Sequence, residues 1–304
     1  KLLISKINPY VIIFINWPTS MWADNFNNIP IVFSPLDIQI LYSDTYTKNL
    51  TSLVNLIWKF IRFFVRIYEK NKWKYFDSII ASSKFTAKHI YDIYKIKSEV
   101  IYLGANDIFF KTNPKKSRAI LCFGDIRARN ASFLLHAAEK LSKKRQDFEI
   151  WIVGDKESHS EELKQLSNDL GLKNTVKFFG KVSDEQLSSL YADSLVFTHL
   201  VKDAPFGMQV VESMAAGTPV ISWKPGGPEE SISHNETGFL ISQFDHNELM
   251  KHIELFLDNP DLSVKMGNKS RERAEKFFTS SNIYNQIRNF MIQTMNNKIK
   301  KNNR

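Results

Sequence analysis

Glycine is absent from the first third of this chain. All 11 glycines of the 304 residues occur from Gly104 onward. A loop that cradles phosphate needs glycine where the backbone approaches a ligand closely or takes a positive φ. The first hundred residues therefore contain no glycine-rich phosphate loop, and we expect any such loop in the later part of the chain.

Cysteine is scarce as well, because Cys122 is the single one, and an internal disulfide is thereby excluded. Its apolar neighbours predict a buried strand in which the thiol is a small core side chain. The histidines are scattered, and the spacing of His246 and His252 places them on different helix faces, so no metal site is predicted. No run of about 20 uncharged apolar residues occurs, which argues against a membrane-spanning helix.

Acidic residues are outnumbered, and the formal net charge is +9. A basic excess favours anionic partners, which include nucleic acid, an acidic membrane and phosphorylated ligands. No nucleic-acid-binding module is recognisable and the basic residues are spread, so nucleic acid is not expected as a partner. The lack of disulfides fits a cytoplasmic location.

A basic, aromatic segment spans residues 53–74. Asn55, Lys59, Arg62 and Arg66 form a polar stripe at helical spacing, and the remaining face is broad and apolar. Such a helix can lie in an anionic membrane interface, which would make the protein a peripheral membrane protein on the inner face of the membrane. The alternative is an ordinary domain helix whose apolar face packs in the core.

Strand-like and helix-like segments alternate along the chain, which predicts an α/β fold with parallel sheets. The chain opens without methionine and runs into a strand-like segment, so we expect an incomplete amino-terminal domain. The polar residues 111–117 resemble a linker. The predicted domains are a partial Rossmann-like domain at 1–113, a Rossmann-like domain at 114–278, and a terminal helix with a basic tail at 279–304 that packs back toward the first domain.

The segment 203–221 is the most informative. Pro205 and Gly207 shape a turn into a helix, and the free N–H groups at a helix start form a ready phosphate site. Glu212 lies within that helix among apolar neighbours, where a carboxylate can accept hydrogen bonds from two ribose hydroxyls. A glutamate paired with a basic residue is the plainer alternative. A second turn at Gly226 and Gly227 lets backbone amides approach a polar ligand, although such a turn is often only a loop.

These motifs resemble the donor-site signature of family 4 glycosyltransferases. The resemblance rests on Pro-Phe-Gly at 205–207, Glu212, Met-Ala-Ala-Gly-Thr-Pro-Val-Ile at 214–221 and Gly-Gly-Pro-Glu-Glu at 226–230, and it extends over roughly residues 78–280. It implies a GT-B fold, in which two Rossmann-like domains face a cleft. It also implies a metal-independent enzyme without a cofactor, which transfers a sugar with retention from a nucleotide diphosphate sugar to a lipid-linked or polysaccharide acceptor.

By position, the resemblance assigns catalytic roles to Arg129 and Asp203, with basic side chains and helix-start amides stabilising the leaving diphosphate. The residues expected to bind the donor are Gly124, Arg127, Arg129, Val182, Phe206, Gly207, Met208, Glu212, Gly226 and Gly227.

Three positions depart from the family pattern. Ala204 stands where an acidic residue usually holds the donor sugar, and the adjacent Asp203 could substitute if the turn is re-aimed. Asp125 replaces an arginine of the phosphate pair, and Arg129 fits the place of its lysine. Leu36 stands where many relatives have histidine. A catalytically silent relative that binds a nucleotide sugar or a partner therefore remains an alternative, whereas a dinucleotide-dependent oxidoreductase is disfavoured because Gly-x-Gly-x-x-Gly is absent.

Overall fold

The computed structural model describes residues 11–15, 29–34, 75–124, 129–154 and 157–303, with positions 57, 60, 61, 63, 64, 67, 71 and 73. The chain divides into two compact units. The first comprises Lys1–Tyr102 with Ile283–Arg304, and the second comprises Leu103–Asn282. The domain limits at 113/114 and 278/279 stay a prediction of domain organisation.

The first unit contains a parallel sheet in the order β1-β2-β3-β4. Its strands are β1 (Ile12–Ile15), β2 (Ile31–Ser34), β3 (Ser78–Ala81) and β4 (Glu99–Val100). Helix α1 (Lys84–Tyr94) begins after Ser83, whose hydroxyl accepts a hydrogen bond from the Thr86 amide at 2.9 Å. Such a cap satisfies one of the amides left open at a helix start. Tyr94 stacks on the buried Trp73, with 4.0 Å between ring centroids.

The last helix of the chain completes this unit from Ile283 onward. Ile283 belongs to a buried cluster with Val32, Ile80 and Ile101. Near the other end of the helix, Lys298 donates hydrogen bonds of 2.9 and 3.0 Å to both carboxylate oxygens of a half-buried aspartate, Asp77.

The apolar residues described between positions 57 and 67 do not lie in a core. They are helical and between 45% and 64% exposed: Ile57, Phe60, Ile61, Phe63, Phe64 and Ile67. Only at Trp73, which is 3% exposed, does a described residue of the segment enter the core of the first unit. The six residues described between 57 and 67 therefore lack the packing expected of the apolar face of an ordinary domain helix.

The second unit is a doubly wound domain with a six-stranded parallel sheet in the order β10-β9-β8-β5-β6-β7. Counted within the unit, this is the 3-2-1-4-5-6 order of Rossmann folds. The strands are β5 (Ala119–Phe123), β6 (Glu149–Val153), β7 (Val176–Gly180), β8 (Val196–His199), β9 (Val220–Lys224) and β10 (Gly238–Ser242). The central strands are apolar and buried on both faces, as a parallel sheet covered by helices requires. Cys122 is 2% exposed in this core, which confirms its predicted place.

Helices connect these strands and continue to the end of the chain. They are α2 (Ala131–Ser142), α3 (Glu157–Asp169), α4 (Asp184–Asp193), α5 (Met208–Ala215), α6 (Pro228–Ser231), α7 (His246–Asp258), α8 (Pro260–Phe277) and α9 (Ser280–Asn302). A capping box begins α4, because Ser183 and Gln186 exchange side chain–backbone hydrogen bonds.

Candidate functional site

The carboxyl ends of β5 and β8 lie side by side at the point where the strand order reverses. From this pair, β6 and β7 extend to one side of the sheet and β9 and β10 to the other. Doubly wound sheets leave a crevice at such a switch point, and ligands bind there. The chain that leaves β5 carries Gly124 and Arg129, and the chain that leaves β8 carries Asp203, Phe206 and Gly207. The fold therefore brings these predicted site residues to one edge of the sheet.

The turn before α5 ends at a glycine because its backbone demands one. Gly207 has a φ of +90°, a backbone angle that residues other than glycine rarely adopt. Phe206, the residue before it, is 2% exposed. Among the described residues, no side chain caps the start of α5. Its leading amides, those of Gly207 and Met208, therefore stand at the positive end of the helix dipole at the crevice.

The second glycine turn packs directly against the first. A Cβ on Gly227 would lie 2.3 Å from the carbonyl oxygen of Pro205 and 2.4 Å from the Cα of Phe206. The Gly227 amide donates to the carbonyl of Ala204 at 2.7 Å, and the Gly226 amide donates to the Glu229 carboxylate at 3.1 Å. These glycines join two loops, and both amides expected to meet a ligand are already engaged within the protein.

Glu212 lies on α5, and its carboxylate accepts a hydrogen bond of 3.2 Å from the hydroxyl of Tyr191 on α4. That hydroxyl is the one side-chain partner of Glu212 among the described residues. Burial raises the pKa of Glu212 to about 7. The Tyr191 hydrogen bond opposes this rise, the Asp184 carboxylate adds to it, and the charge of Arg129 opposes it. The structure thus shows a tyrosine partner in place of the basic partner considered as the plainer alternative.

Arg129 stands half-buried beside the crevice, with its guanidinium carbon 4.7 Å from the centre of the Phe123 ring. A cation over an aromatic face is held by the charge distribution of the ring. Next along the chain, the Asn130 side chain donates to the Leu200 carbonyl at 2.8 Å, which ties the loop after β5 to the loop after β8. Gly124 is needed for packing, since a Cβ there would lie 2.6 Å from Ile152.

Asp203 takes a left-handed backbone conformation with φ of +51°. Its carboxylate accepts a hydrogen bond of 3.1 Å from the amide of Gln243, and Lys202 lies 3.9 Å away. Ala204 is 2% exposed and brings no polar side chain to the position where an acid was expected. The predicted role of Asp203 toward the sugar therefore competes with a contact already made inside the protein.

The remaining predicted residues divide between described and undescribed positions. Val182 is half-buried between β7 and α4. Arg127, Asp125 and Leu36 lie outside the described residues, so the predictions made for them stay predictions. Within the described ranges, no group of three potential metal ligands occurs. Also within them, no helix combines the length and apolar character needed to cross a bilayer.

Sequence reasoning missed two residues of this edge. Tyr191 is not among the predicted site residues, because its hydrogen bond to Glu212 joins two helices and residues 21 positions apart, which no local pattern indicates. His199, the last residue of β8, is 5% exposed, and burial together with the charge of Arg129 lowers the pKa of its ring to about 3. A lone histidine in an apolar run gave no signal of what surrounds it.

Solved structures with the same architecture include glycosyltransferases. Sucrose-phosphate synthase from Thermosynechococcus elongatus aligns with a TM-score of 0.81 and 20% identity, over 96% of this chain and 75% of that chain. The Anabaena protein HepE in complex with UDP-glucose aligns with a TM-score of 0.78 and 21% identity, over 96% of this chain and 82% of that one. The chain therefore has the GT-B fold, as predicted.

A curated relative is the GDP-Man:Man(3)GlcNAc(2)-PP-Dol alpha-1,2-mannosyltransferase of Dictyostelium discoideum. It is 33% identical over 144 residues, which cover 47% of this chain and 28% of that protein. The first curated relatives are matched over 46% or less of their own length. The family model described as "Glycosyl transferases group 1" matches residues 105–273, more than half of the chain. The chain belongs to the group 1 glycosyltransferase family.

Proposed function

We propose that this chain provides the donor-binding part of a retaining glycosyltransferase, which moves a sugar from a nucleotide diphosphate sugar to a lipid-linked or polysaccharide acceptor. The observation that carries the proposal is the pair formed at the switch point by the uncapped start of α5 and the carboxylate of Glu212. A helix start favours a diphosphate and a carboxylate favours ribose hydroxyls. One ligand class, a nucleoside diphosphate, presents both a diphosphate and ribose hydroxyls.

The reaction proposed for this site develops negative charge on the leaving diphosphate. The amides of Gly207 and Met208 and the guanidinium of Arg129 would stabilise that charge, without a metal ion in the proposed step. Arg129 is suited to this role because its guanidinium lies over the Phe123 ring and lines the pocket at the carboxyl end of β8. Asp203 stays the predicted sugar-side residue.

The names of similar proteins support a nucleotide sugar as the donor class. The Anabaena neighbour is described in complex with UDP-glucose, and the Dictyostelium relative is named for GDP-Man and for a PP-Dol acceptor. These names support a nucleotide sugar as donor and a lipid-linked glycan as one kind of acceptor. Retention is tested by proton NMR of the first-formed product, whose anomeric configuration should match that of the donor.

Donor binding is tested by the change in unfolding temperature on adding UDP-glucose or GDP-mannose, because a ligand that binds the folded state raises the midpoint. Glu212→Ala should abolish the rise seen with the unmodified protein. Glu275→Ala, an exposed glutamate on α8, is the matched control and should keep it. An unchanged rise in Glu212→Ala would refute the ribose assignment. Binding without any transfer would favour the catalytically silent alternative.

We also propose that the segment at 53–74 docks the protein on the anionic inner face of the membrane, from the cytoplasmic side. The six exposed apolar residues described in the fold support this, because side chains such as Phe60, Phe63 and Phe64 would gain by entering a lipid interface. Lys59, Arg62 and Arg66 alternate with them in the sequence and supply charge of the sign that anionic lipid attracts.

Flotation with vesicles that contain phosphatidylserine tests this docking. Changing Lys59, Arg62 and Arg66 to glutamate should abolish co-flotation. The matched control changes three exposed lysines of the second unit to glutamate and should still float with the vesicles: Lys251, Lys265 and Lys269. Equal recovery of both variants with the lipid would contradict the proposal.

A further inference from the structure

His199 occupies a position at the switch point that no assigned role explains. It ends β8, which lies between β5 and β9 in the middle of the sheet. Its side chain is almost fully buried, yet it lines a small pocket together with Arg129, Thr198 and Gln209. A polar ring held at the carboxyl end of a central strand is placed where ligands meet this fold.

The hydrogen bonds around the ring determine its tautomer. Nδ1 of His199 lies 3.3 Å from the hydroxyl of Ser222, and that hydroxyl lies 3.1 Å from the carbonyl of His199 and 3.3 Å from that of Trp223. Carbonyl oxygens only accept, so the serine hydrogen is donated to the backbone. The serine oxygen then accepts from Nδ1–H, and Nε2 carries a lone pair.

The ring of His199 packs against the turn that begins α5. Cε1, the ring carbon bonded to both nitrogens, lies 3.4 Å from the place where a Cβ on Gly207 would stand. Among the described residues, the one hydrogen bond of the ring is the contact with Ser222. Because His199 lines the pocket, a ligand donor there could give Nε2 a hydrogen-bond partner.

The chemistry around Nε2 selects the ligand group. Arg129 and the start of α5 attract an anion, but an unprotonated imidazole nitrogen repels one and accepts from a hydroxyl. The group that fits is therefore a hydroxyl carried close to a phosphate. Ala204 adds to this reasoning, because no acidic side chain is present there to accept from such a hydroxyl.

We infer that Nε2 of His199 accepts a hydrogen bond from a hydroxyl of the donor's sugar, which makes His199 a specificity-determining residue of the transfer reaction. This inference rests on the proposed donor-binding function. In this arrangement the two residues bind opposite ends of the donor. Glu212 accepts hydrogen bonds from the ribose of the nucleoside, and His199 accepts one from the transferred sugar.

Two substitutions separate the ring nitrogens. In His199→Asn the amide nitrogen can replace Nδ1 as the donor to Ser222, but nothing replaces Nε2. In His199→Gln the longer side chain can place its carbonyl oxygen near the position of Nε2. Isothermal titration calorimetry on the full chain measures the affinity for each nucleotide sugar and for its matching nucleoside diphosphate: UDP-glucose against UDP, and GDP-mannose against GDP.

For the nucleotide sugar that the unmodified protein binds, His199→Asn should weaken affinity about fivefold to tenfold, which is the loss expected for one hydrogen bond. Affinity for the matching nucleoside diphosphate should change less than about twofold, and His199→Gln should retain most of the sugar-dependent affinity. An equal loss for both ligands in His199→Asn, or no loss for either, would overturn the inference. If the unmodified protein bound none of the four ligands, the donor-binding function itself would be refuted.

A measurement without substitution examines the tautomer directly. The long-range proton–nitrogen NMR spectrum of ¹⁵N-labelled protein should show His199 neutral, with its hydrogen on Nδ1. On adding the bound nucleotide sugar, the Nε2 resonance should shift, whereas the nucleoside diphosphate should leave it nearly unchanged. A hydrogen found on Nε2 in the free protein would overturn the assignment of this atom as an acceptor.

Discussion

Replacing Glu212 by glutamine should stabilise the protein, and by an amount that depends on pH. The carboxylate is mostly buried on α5 with the Tyr191 hydroxyl as its hydrogen-bond donor, and burial raises its pKa from 4.5 to about 7. Because the folded-state pKa lies above the unfolded one, the protonated form favours folding. The contribution is fully present below about pH 4.5 and is lost as pH rises through about 7.

The size of this effect follows from the shift. A difference of one pKa unit corresponds to about 1.4 kcal/mol, so ionised Glu212 costs on the order of 3 kcal/mol of folding free energy above pH 7. Glutamine keeps an oxygen that can accept from Tyr191 and carries no charge. The Glu212→Gln variant should therefore exceed the unmodified protein by less than about 1 kcal/mol at pH 5 and by about 3 kcal/mol at pH 8.5, the latter roughly 6–12 °C in unfolding temperature.

Thermal unfolding followed by circular dichroism at pH 5 and pH 8.5 measures this difference. Glu275→Gln is the matched control, because Glu275 is an exposed glutamate on a helix of the same unit, and it should leave the unfolding temperature unchanged at both pH values. A gain of the same size at both pH values, or a loss at pH 8.5, would refute the reasoning that the burial of this charge opposes folding.

Donor affinity should fall about tenfold between pH 8 and pH 6, because ribose hydroxyls need the ionised Glu212, whose pKa is about 7 in the free protein; calorimetry of Glu212→Gln should show no such fall. Tyr191→Phe removes the hydroxyl that donates to Glu212 and should weaken nucleotide-sugar binding about fivefold in calorimetry, and unchanged affinity would contradict a positioning role. Gly227→Ala places a Cβ 2.3 Å from a backbone oxygen and should lower the unfolding temperature far more than Gly171→Ala, which meets no atom within 4 Å and incurs only the strain of φ +70°, about 1 kcal/mol.

The α/β fold of the second unit could be predicted from the sequence. Its strands are apolar runs that end in glycine or polar residues, and a parallel sheet buried on both faces requires such runs. The helix predicted after the turn at Pro205 and Gly207 is observed as Met208–Ala215. Periodicity is a local property, so each element could be predicted without its neighbours.

The contacts within the site could not be predicted in the same way. Gly226 and Gly227 carry the same local signal whether their amides meet a ligand or another loop. The structure shows the second case, because the turn at 204–206 lies against them. Likewise, the hydrogen bond between Tyr191 and Glu212 joins residues of two different helices, α4 and α5. Such pairs depend on how helices pack on the sheet, which composition and spacing do not specify.

Two acceptors at the crevice are satisfied only in part by the described residues of the protein. Glu212 receives one hydroxyl donor, and Nε2 of His199 has no partner among the described residues. The first arrangement opposes folding, since a buried charge loses its hydration. Both acceptors nevertheless lie beside the same helix start, where the leading amides and Arg129 attract an anion. A ligand that offers hydroxyl donors on both sides of a diphosphate would satisfy all of these groups together, and this joint fit is the physical reason to favour a nucleotide sugar over a free nucleotide at this site.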